Sequence, residues 1–179
     1  KQKVPIEVSF SANTKTIATP ISVSVLIRSA LSGEKLTGTS ARKILADIYR
    51  SLVLDHADAY KLFFNSILDP NNFPLAFCCV AGKDRTGLAA ALLLTALGAS
   101  RETVFDDYLL SNKYWEMPTD VLREESDEVR KAVFTADTHY LEAAFAAMSE
   151  YYGSAESFIQ NTLGLNPARR EDVLAQLVE

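Results

Sequence analysis

The chain has 179 residues, of which 48% are hydrophobic and 23% are charged, and its formal net charge at pH 7 is −5. This composition supports one globular domain and excludes a wholly disordered chain, which would need low hydrophobicity. The acidic balance argues against nucleic acid or an anionic membrane surface as a partner, because both attract net positive charge. No apolar run approaches the roughly 20 residues of a membrane-spanning helix, so we expect no membrane span, and residues 1–10 do not resemble a signal peptide.

The two cysteines, Cys78 and Cys79, are adjacent in the sequence. A disulfide between neighbouring residues needs a strained ring, so we expect at least one working thiol in a reducing compartment. This predicts a cytoplasmic location and leaves secretion without disulfides as the alternative. The spacing of these cysteines from the two histidines does not match a metal site, and we predict neither a metal nor a cofactor.

The first half of the chain predicts one strand and two amphipathic helices. Val4–Phe10 alternates apolar and polar residues, which is typical of a half-buried edge strand. The Ser/Thr-rich segment 11–39 is ambiguous, and we leave open whether it is a lid over a site or a surface connection. A helix capped by Ser40 and a second one opened by Asp55 and ended before Pro70 follow.

The second half alternates between a strand and several helices. Leu75–Val80 is a short apolar run that predicts a buried strand, and Arg85–Leu97 is helical in pattern. The acidic segment Glu116–Glu128 is typical of a solvated surface. Further helices are predicted to start at Ser100, at Asp137 or Thr138, at Ser154 and at Asn166. The pattern therefore predicts a helix-rich α/β fold with a central strand that leads into a helix through a glycine-containing loop.

That strand–loop–helix junction carries the chemistry. Cys79 and Arg85 stand six positions apart, and the five residues between them allow a loop whose backbone N–H groups point at one anion. The same N–H groups and the Arg85 guanidinium would stabilise a Cys79 thiolate and make it nucleophilic. The residues predicted to hold the phosphate or the substrate are Val80, Ala81, Gly82, Lys83, Asp84, Arg85 and Thr86.

The segment Phe77–Gly87 resembles the signature H-C-x-A-G-K-D-R-T-G of the bacterial and fungal tyrosine/serine protein phosphatases, a branch of the cysteine-dependent C-x5-R phosphatases. The flanking segments 49–53, 56–60, 107–112 and 140–145 resemble family helices. The resemblance implies a cysteine-phosphatase fold with a small central parallel-type sheet flanked by many helices. It also implies a metal-free cysteinyl-phosphate mechanism acting on phosphotyrosine, phosphoserine/threonine or phosphoinositides.

Carried over residue by residue, the resemblance implies that Cys79 is the nucleophile and that Arg85 clamps the phosphate. Asp84 is the candidate catalytic acid, and Thr86 supplies a hydroxyl that assists the thiolate. We expect the Lys83 side chain at the rim of the loop, where it would favour substrates with a second anionic group.

The sequence departs from the family pattern at two points. Cys78 stands where the family has His, and the opening N-F-R-D-x-G-G segment with its first strands is absent. We therefore expect residues 1–179 to form a single phosphatase domain without its N-terminal strands. Two other functions stay open: a phosphate-binding module without turnover, and a rhodanese-like sulfur transferase. The sequence indicates a phosphoprotein or phosphoinositide as the partner and does not indicate an oligomeric state.

Overall fold

The computed structural model describes residues 36–79, 81–114, 116, 117, 119 and 121–177. The strand expected at Val4–Phe10 and most of segment 11–39 lie outside these residues. The described chain is built from helices, in the order α1 Gly38–Leu54, α2 Ala57–Ile67, a 3₁₀ turn Pro70–Asn72, α3 Asp84–Ala96, α4 Arg101–Leu109, α5 Ser111–Tyr114, α6 Asp127–Phe134, α7 Thr138–Tyr152, α8 Ala155–Ser157, a π-helical turn Phe158–Thr162 and α9 Pro167–Leu177.

The helices begin where short polar side chains can satisfy the first backbone N–H groups. Thr37 and Ser40 form a reciprocal capping box at the start of α1, three residues earlier than the sequence predicts. Ser100 caps α4 and Asp137 caps α7, both as predicted. The helix predicted from Ser100 to about residue 112 is interrupted at Leu110 and continues as the short α5.

Helix α1 is the centre of the described fold. It packs along α7 and α6, while α3 packs against α4. The buried face of α1 carries Leu45, Ile48 and Leu52, which recur at helical spacing and join the main core. Each fully buried side chain of this size contributes about 1.5–3 kcal/mol relative to an exposed one. In the described part of the chain, no helix is both long and apolar enough to cross a membrane.

Helix α6 is not predicted from the sequence and begins at Asp127, at the end of the acidic segment Glu116–Glu128. Ser126 caps it, and the acidic residues of its first turn interact favourably with the positive end of the helix dipole. Its Val129 and Ala132 are buried three positions apart against Leu36 and Ala41 of the α1 region. None of the described residues of the acidic segment is buried, so what the sequence reasoning misses is the buried face of α6, which lies beyond that segment.

The expected central sheet is wrong for the part of the chain that the structure describes, which contains helices and no strand. Residues 73–79 are irregular, and Phe77 is 38% exposed and not part of a buried strand. A strand is stable only when a neighbouring strand pairs with its backbone, and no described segment supplies that neighbour. The Phe77 ring instead packs edge-on against Phe63 of α2, with 4.7 Å between ring centroids.

Candidate active site

The loop between Cys79 and α3 forms a tight turn at the N-terminal end of that helix. The N–H of Gly82 donates to the carbonyl oxygen of Cys79 at 3.3 Å. Gly82 has a φ of 63°, in the left-handed region that a residue with a Cβ rarely adopts. Helix α3 begins at Asp84, so its unpaired N–H groups and positive dipole end lie at the loop. Val80 lies outside the described residues.

The half-buried Cys79 is tied to Thr86 on the first turn of α3. The backbone N–H of Cys79 donates to Thr86 Oγ1 at 2.8 Å. Burial of the thiol has the largest single influence and opposes ionisation, but the thiol also receives hydrogen bonds from the Thr86 hydroxyl and from the backbone N–H groups of Thr86 and Lys83. Together with the positive charge of Arg85, they lower the pKa of Cys79 below its usual range. The lowered pKa favours the thiolate form of Cys79.

Removing the Thr86 hydroxyl tests this arrangement. We expect Thr86→Ala to raise the pKa of Cys79, because a hydrogen bond to the thiolate is lost. A thiolate that forms only at higher pH moves the acid limb of the kcat/KM profile to higher pH. The loss of activity is then largest at acidic pH and smallest at alkaline pH.

The pH dependence of iodoacetamide alkylation in a Cys78→Ser background measures the Cys79 thiolate directly. Thr86→Ser keeps the hydroxyl and is the matched control, for which we expect an unshifted profile. An unshifted profile in Thr86→Ala would show that Thr86 does not stabilise the thiolate.

Lys83 and Asp84 form a buried ion pair. Lys83 Nζ lies 2.6 Å from Asp84 Oδ1, and the two side chains are 3% and 24% exposed. The Lys83 ammonium also donates to the carbonyl oxygen of Thr135 at 3.4 Å. The expectation that the Lys83 side chain lies at the rim of the loop is therefore wrong, because the carboxylate and the carbonyl hold the ammonium inside the fold. What Lys83 offers to the thiolate is its backbone N–H.

Two buried tyrosines extend this ion pair into a network. The Tyr49 hydroxyl of α1 donates to Asp84 Oδ1 at 2.9 Å and is 2.8 Å from the Tyr108 hydroxyl of α4. Burial and the negative charge of Asp84 raise the pKa of Tyr49, so its hydroxyl stays a neutral donor. A Cβ on Gly87 would lie 2.9 Å from the Tyr108 ring, which means that glycine is needed for this close approach.

The network ends on the linker between α6 and α7. The Asn112 side chain both donates to the Ala136 carbonyl oxygen at 2.8 Å and accepts from the Ala136 N–H at 2.7 Å. This fixes the backbone beside Thr135, whose carbonyl oxygen binds Lys83. The position of the loop residues 83 and 84 thus depends on α1, α4 and the α6–α7 linker together.

We expect Lys83→Met to destabilise the fold by about 3 kcal/mol, because it leaves the largely buried Asp84 carboxylate without its ammonium partner. Urea unfolding at pH 7 measures this. Lys43→Met is the matched control: Lys43 pairs with Asp47 at 2.8 Å on the surface, and an exposed pair contributes only about 0.3–0.5 kcal/mol.

We expect Lys83→Met to lower kcat/KM for singly and multiply charged substrates by the same factor. A selective loss for the multiply charged ones would place the ammonium at the rim.

Sequence reasoning missed Tyr49 and Tyr108 as parts of the site. A signal was present for Tyr49, because a tyrosine on the apolar face of a helix requires a partner for its hydroxyl.

Arg85 and Thr86 are half-buried next to Cys79, and Cys78 is exposed. Among the described residues, no group of three or more His, Cys, Asp or Glu side chains could hold a metal ion.

Comparison with known proteins places this loop in a family context. A protein of Cupriavidus necator named as a tyrosine-protein phosphatase is 27% identical over 176 residues, which cover 94% of this chain and 64% of that protein. The triple specificity protein phosphatase of Mycobacterium tuberculosis is 30% identical over 105 residues, or 49% of this chain and 38% of its own length. A tyrosine-protein phosphatase of Nostoc commune is 27% identical over 136 residues, covering 69% and 46%.

The chain spans less than two thirds of the length of each of these relatives. A family model described as the tyrosine phosphatase family matches residues 2–179. Because this match covers nearly the whole sequence and includes the Cys79–Arg85 loop, the chain belongs to the tyrosine phosphatase family.

Proposed function

We propose that the chain hydrolyses phosphomonoesters through a cysteinyl-phosphate intermediate formed on Cys79. The observation that carries the proposal is the geometry of the loop, in which the Cys79 N–H binds Thr86 Oγ1 at 2.8 Å at the N-terminal end of α3. Hydrogen bonds donated by Thr86 and by loop N–H groups, with the charge of Arg85, lower the pKa of Cys79 there. A thiolate held at a helix N-terminus, at the start of the seven-residue loop from Cys79 to Arg85, is both a nucleophile and part of an anion site.

In the first step, Cys79 Sγ forms a bond to phosphorus while the bond between phosphorus and the ester oxygen breaks. Asp84 enters this step protonated on Oδ2, the oxygen that Lys83 and Tyr49 do not bind, and gives that proton to the departing ester oxygen. Two observations support Asp84 in this role: its Oδ1 is fixed by Lys83 and Tyr49, and its side chain keeps 24% of its surface exposed. Lys83 and Tyr49 therefore hold one oxygen of the carboxyl in place, and the other oxygen is available to the substrate.

In the second step, water forms a bond to phosphorus and the bond between phosphorus and Sγ breaks. The water gives a proton to the Asp84 carboxylate, so the acid is restored and inorganic phosphate is released. Throughout both steps, Arg85 and the loop N–H groups balance the charge on the non-bridging phosphoryl oxygens, with two parallel guanidinium N–H groups available from Arg85.

We propose phosphotyrosine as the primary substrate and include phosphoserine/threonine and phosphoinositides in the range to be tested. The names of the relatives support tyrosine phosphatase activity, and the Mycobacterium tuberculosis protein is named for triple specificity. Because the Lys83 side chain is buried, its ammonium is not at the rim of the loop to bind a second anionic group. Lys83 therefore does not support phosphoinositides as substrates.

Steady-state hydrolysis of p-nitrophenyl phosphate by the purified chain tests the proposal. We expect turnover that survives excess chelator, because the loop N–H groups, the helix end and Arg85 supply the positive charge, and that is inhibited by orthovanadate. Thiol alkylation at Cys79 should stop it. Vanadate binding without turnover would instead identify a phosphate-binding module, and a chelator-sensitive activity restored by a divalent cation would contradict the cysteine mechanism.

A further inference from the structure

The Tyr60 hydroxyl is a buried polar group that the reaction described above does not use. Tyr60 is 2% exposed, and its hydroxyl oxygen has no hydrogen-bond partner among the residues that the structure describes. Other buried tyrosines in this part of the chain are paired: Tyr140 donates to the Ala132 carbonyl oxygen at 2.8 Å, and Tyr49 donates to Asp84. An unpaired buried hydroxyl costs about 1–3 kcal/mol, which calls for a physical explanation.

The position of Tyr60 on α2 places it next to the catalytic loop. Phe63 follows it by one helical turn and contacts Phe77, two residues before Cys79. Residues three apart share a face of a helix, so Tyr60 and Phe63 lie on the side of α2 that packs against Phe77. Tyr60 is part of the main buried core, so its side chain is held in this position by packing.

The electrostatic surroundings of Tyr60 agree with this placement. Burial raises the pKa of Tyr60, the Cys79 and Asp84 charges raise it further, and the Arg85 charge lowers it. The hydroxyl therefore stays protonated and lies within electrostatic reach of the thiolate and of the guanidinium. It is a buried, neutral hydrogen-bond donor without a partner among the described residues, close enough to the loop to sense its charges.

We propose that the Tyr60 hydroxyl is a further phosphate ligand, donating a hydrogen bond to a non-bridging oxygen of a phosphoryl group seated between Cys79 and Arg85. The proposal rests on the function proposed above, since it assumes that the loop binds phosphate. A phosphoryl oxygen would satisfy the hydroxyl, and the energy of the unpaired group would be recovered when phosphate binds. Tyr60 would thus contribute to affinity without contributing to the stability of the empty fold.

Tyr60→Phe tests this, with inorganic phosphate as the probe. The readouts are the inhibition constant of inorganic phosphate against p-nitrophenyl phosphate hydrolysis and the thermal midpoint of unfolding with and without phosphate. We expect Tyr60→Phe to weaken phosphate binding about ten-fold, the scale of one hydrogen bond to a charged group. The rise in thermal midpoint that phosphate produces should shrink, while the midpoint without phosphate should not fall, because no hydrogen bond of the empty fold is lost.

Tyr140→Phe is the matched control. It removes a buried hydroxyl that is paired within the fold, so we expect a lower thermal midpoint and an unchanged inhibition constant. An unchanged inhibition constant in Tyr60→Phe would overturn the proposal, as would an equal weakening in Tyr140→Phe. A midpoint without phosphate that falls as far as in Tyr140→Phe would also overturn it, because Tyr60 would then have a partner in the empty fold. A wild-type chain that neither binds phosphate nor turns over substrate would overturn the proposed function as well, and that outcome is seen before any variant is made.

Discussion

Cys79→Ser should lower kcat for p-nitrophenyl phosphate by at least about 1,000-fold, the scale on which enzymes lose activity when a covalent nucleophile is removed. The serine hydroxyl is hardly ionised at pH 7, so the hydrogen bonds that stabilise a thiolate at this position no longer produce a nucleophile. The loop itself should remain able to bind an anion, because Arg85 and the backbone N–H groups are unchanged. Inorganic phosphate should therefore still raise the thermal midpoint of the variant.

Cys78→Ser is the matched control, because it makes the same chemical change one residue earlier in the chain. Cys78 is exposed, whereas the N–H of Cys79 binds Thr86 and its thiol receives the hydrogen bonds of the loop. We expect Cys78→Ser to keep most of the activity and to keep the acid limb of its pH profile in place. If Cys78→Ser were inactive and Cys79→Ser active, the assignment of the nucleophile would be wrong by one residue.

Asp84→Asn should lower kcat by about 100-fold or more, the usual scale for the loss of a general acid. The amide keeps an oxygen that can accept from Tyr49, but it has no proton of suitable acidity for the leaving group. The loss should be larger for phosphoserine, whose alkoxide is a poor leaving group, than for p-nitrophenyl phosphate, whose phenolate departs without a proton. The ratio of the two losses measures proton donation separately from binding.

Tyr49→Phe is the control that separates the orientation of the Asp84 carboxyl from its proton donation. It removes one of the two hydrogen bonds that orient Asp84 Oδ1 but leaves the carboxyl and its ion pair with Lys83 in place. We expect a smaller loss that is the same for both leaving groups. An equal loss for both leaving groups in Asp84→Asn would show that Asp84 only holds the loop and that the acid is another group.

The helices of this chain were largely predictable because their signals are local. Capping residues such as Ser100 and Asp137 act on N–H groups two or three residues away, and apolar residues repeat at helical spacing within each segment. Helix α6 was missed because its apolar face is narrow, with only Val129 and Ala132 buried. The strand predicted at Leu75–Val80 is wrong over residues 75–79, which the structure describes, because β-forming residues do not by themselves provide a pairing partner.

The sequence by itself determined the family, and it predicts Cys79 as the nucleophile and Arg85 as the phosphate clamp, because both belong to one continuous loop whose spacing carries the chemistry. Only the tertiary structure decided where the side chains of Lys83 and Tyr60 lie. The ammonium of Lys83 is held inside the fold through Asp84, whose second donor is Tyr49, 35 positions earlier, and Tyr49 in turn contacts Tyr108, 59 positions later. Such contacts depend on how separate helices pack together, and local spacing contains no information about which distant hydroxyl or carbonyl will meet a given side chain.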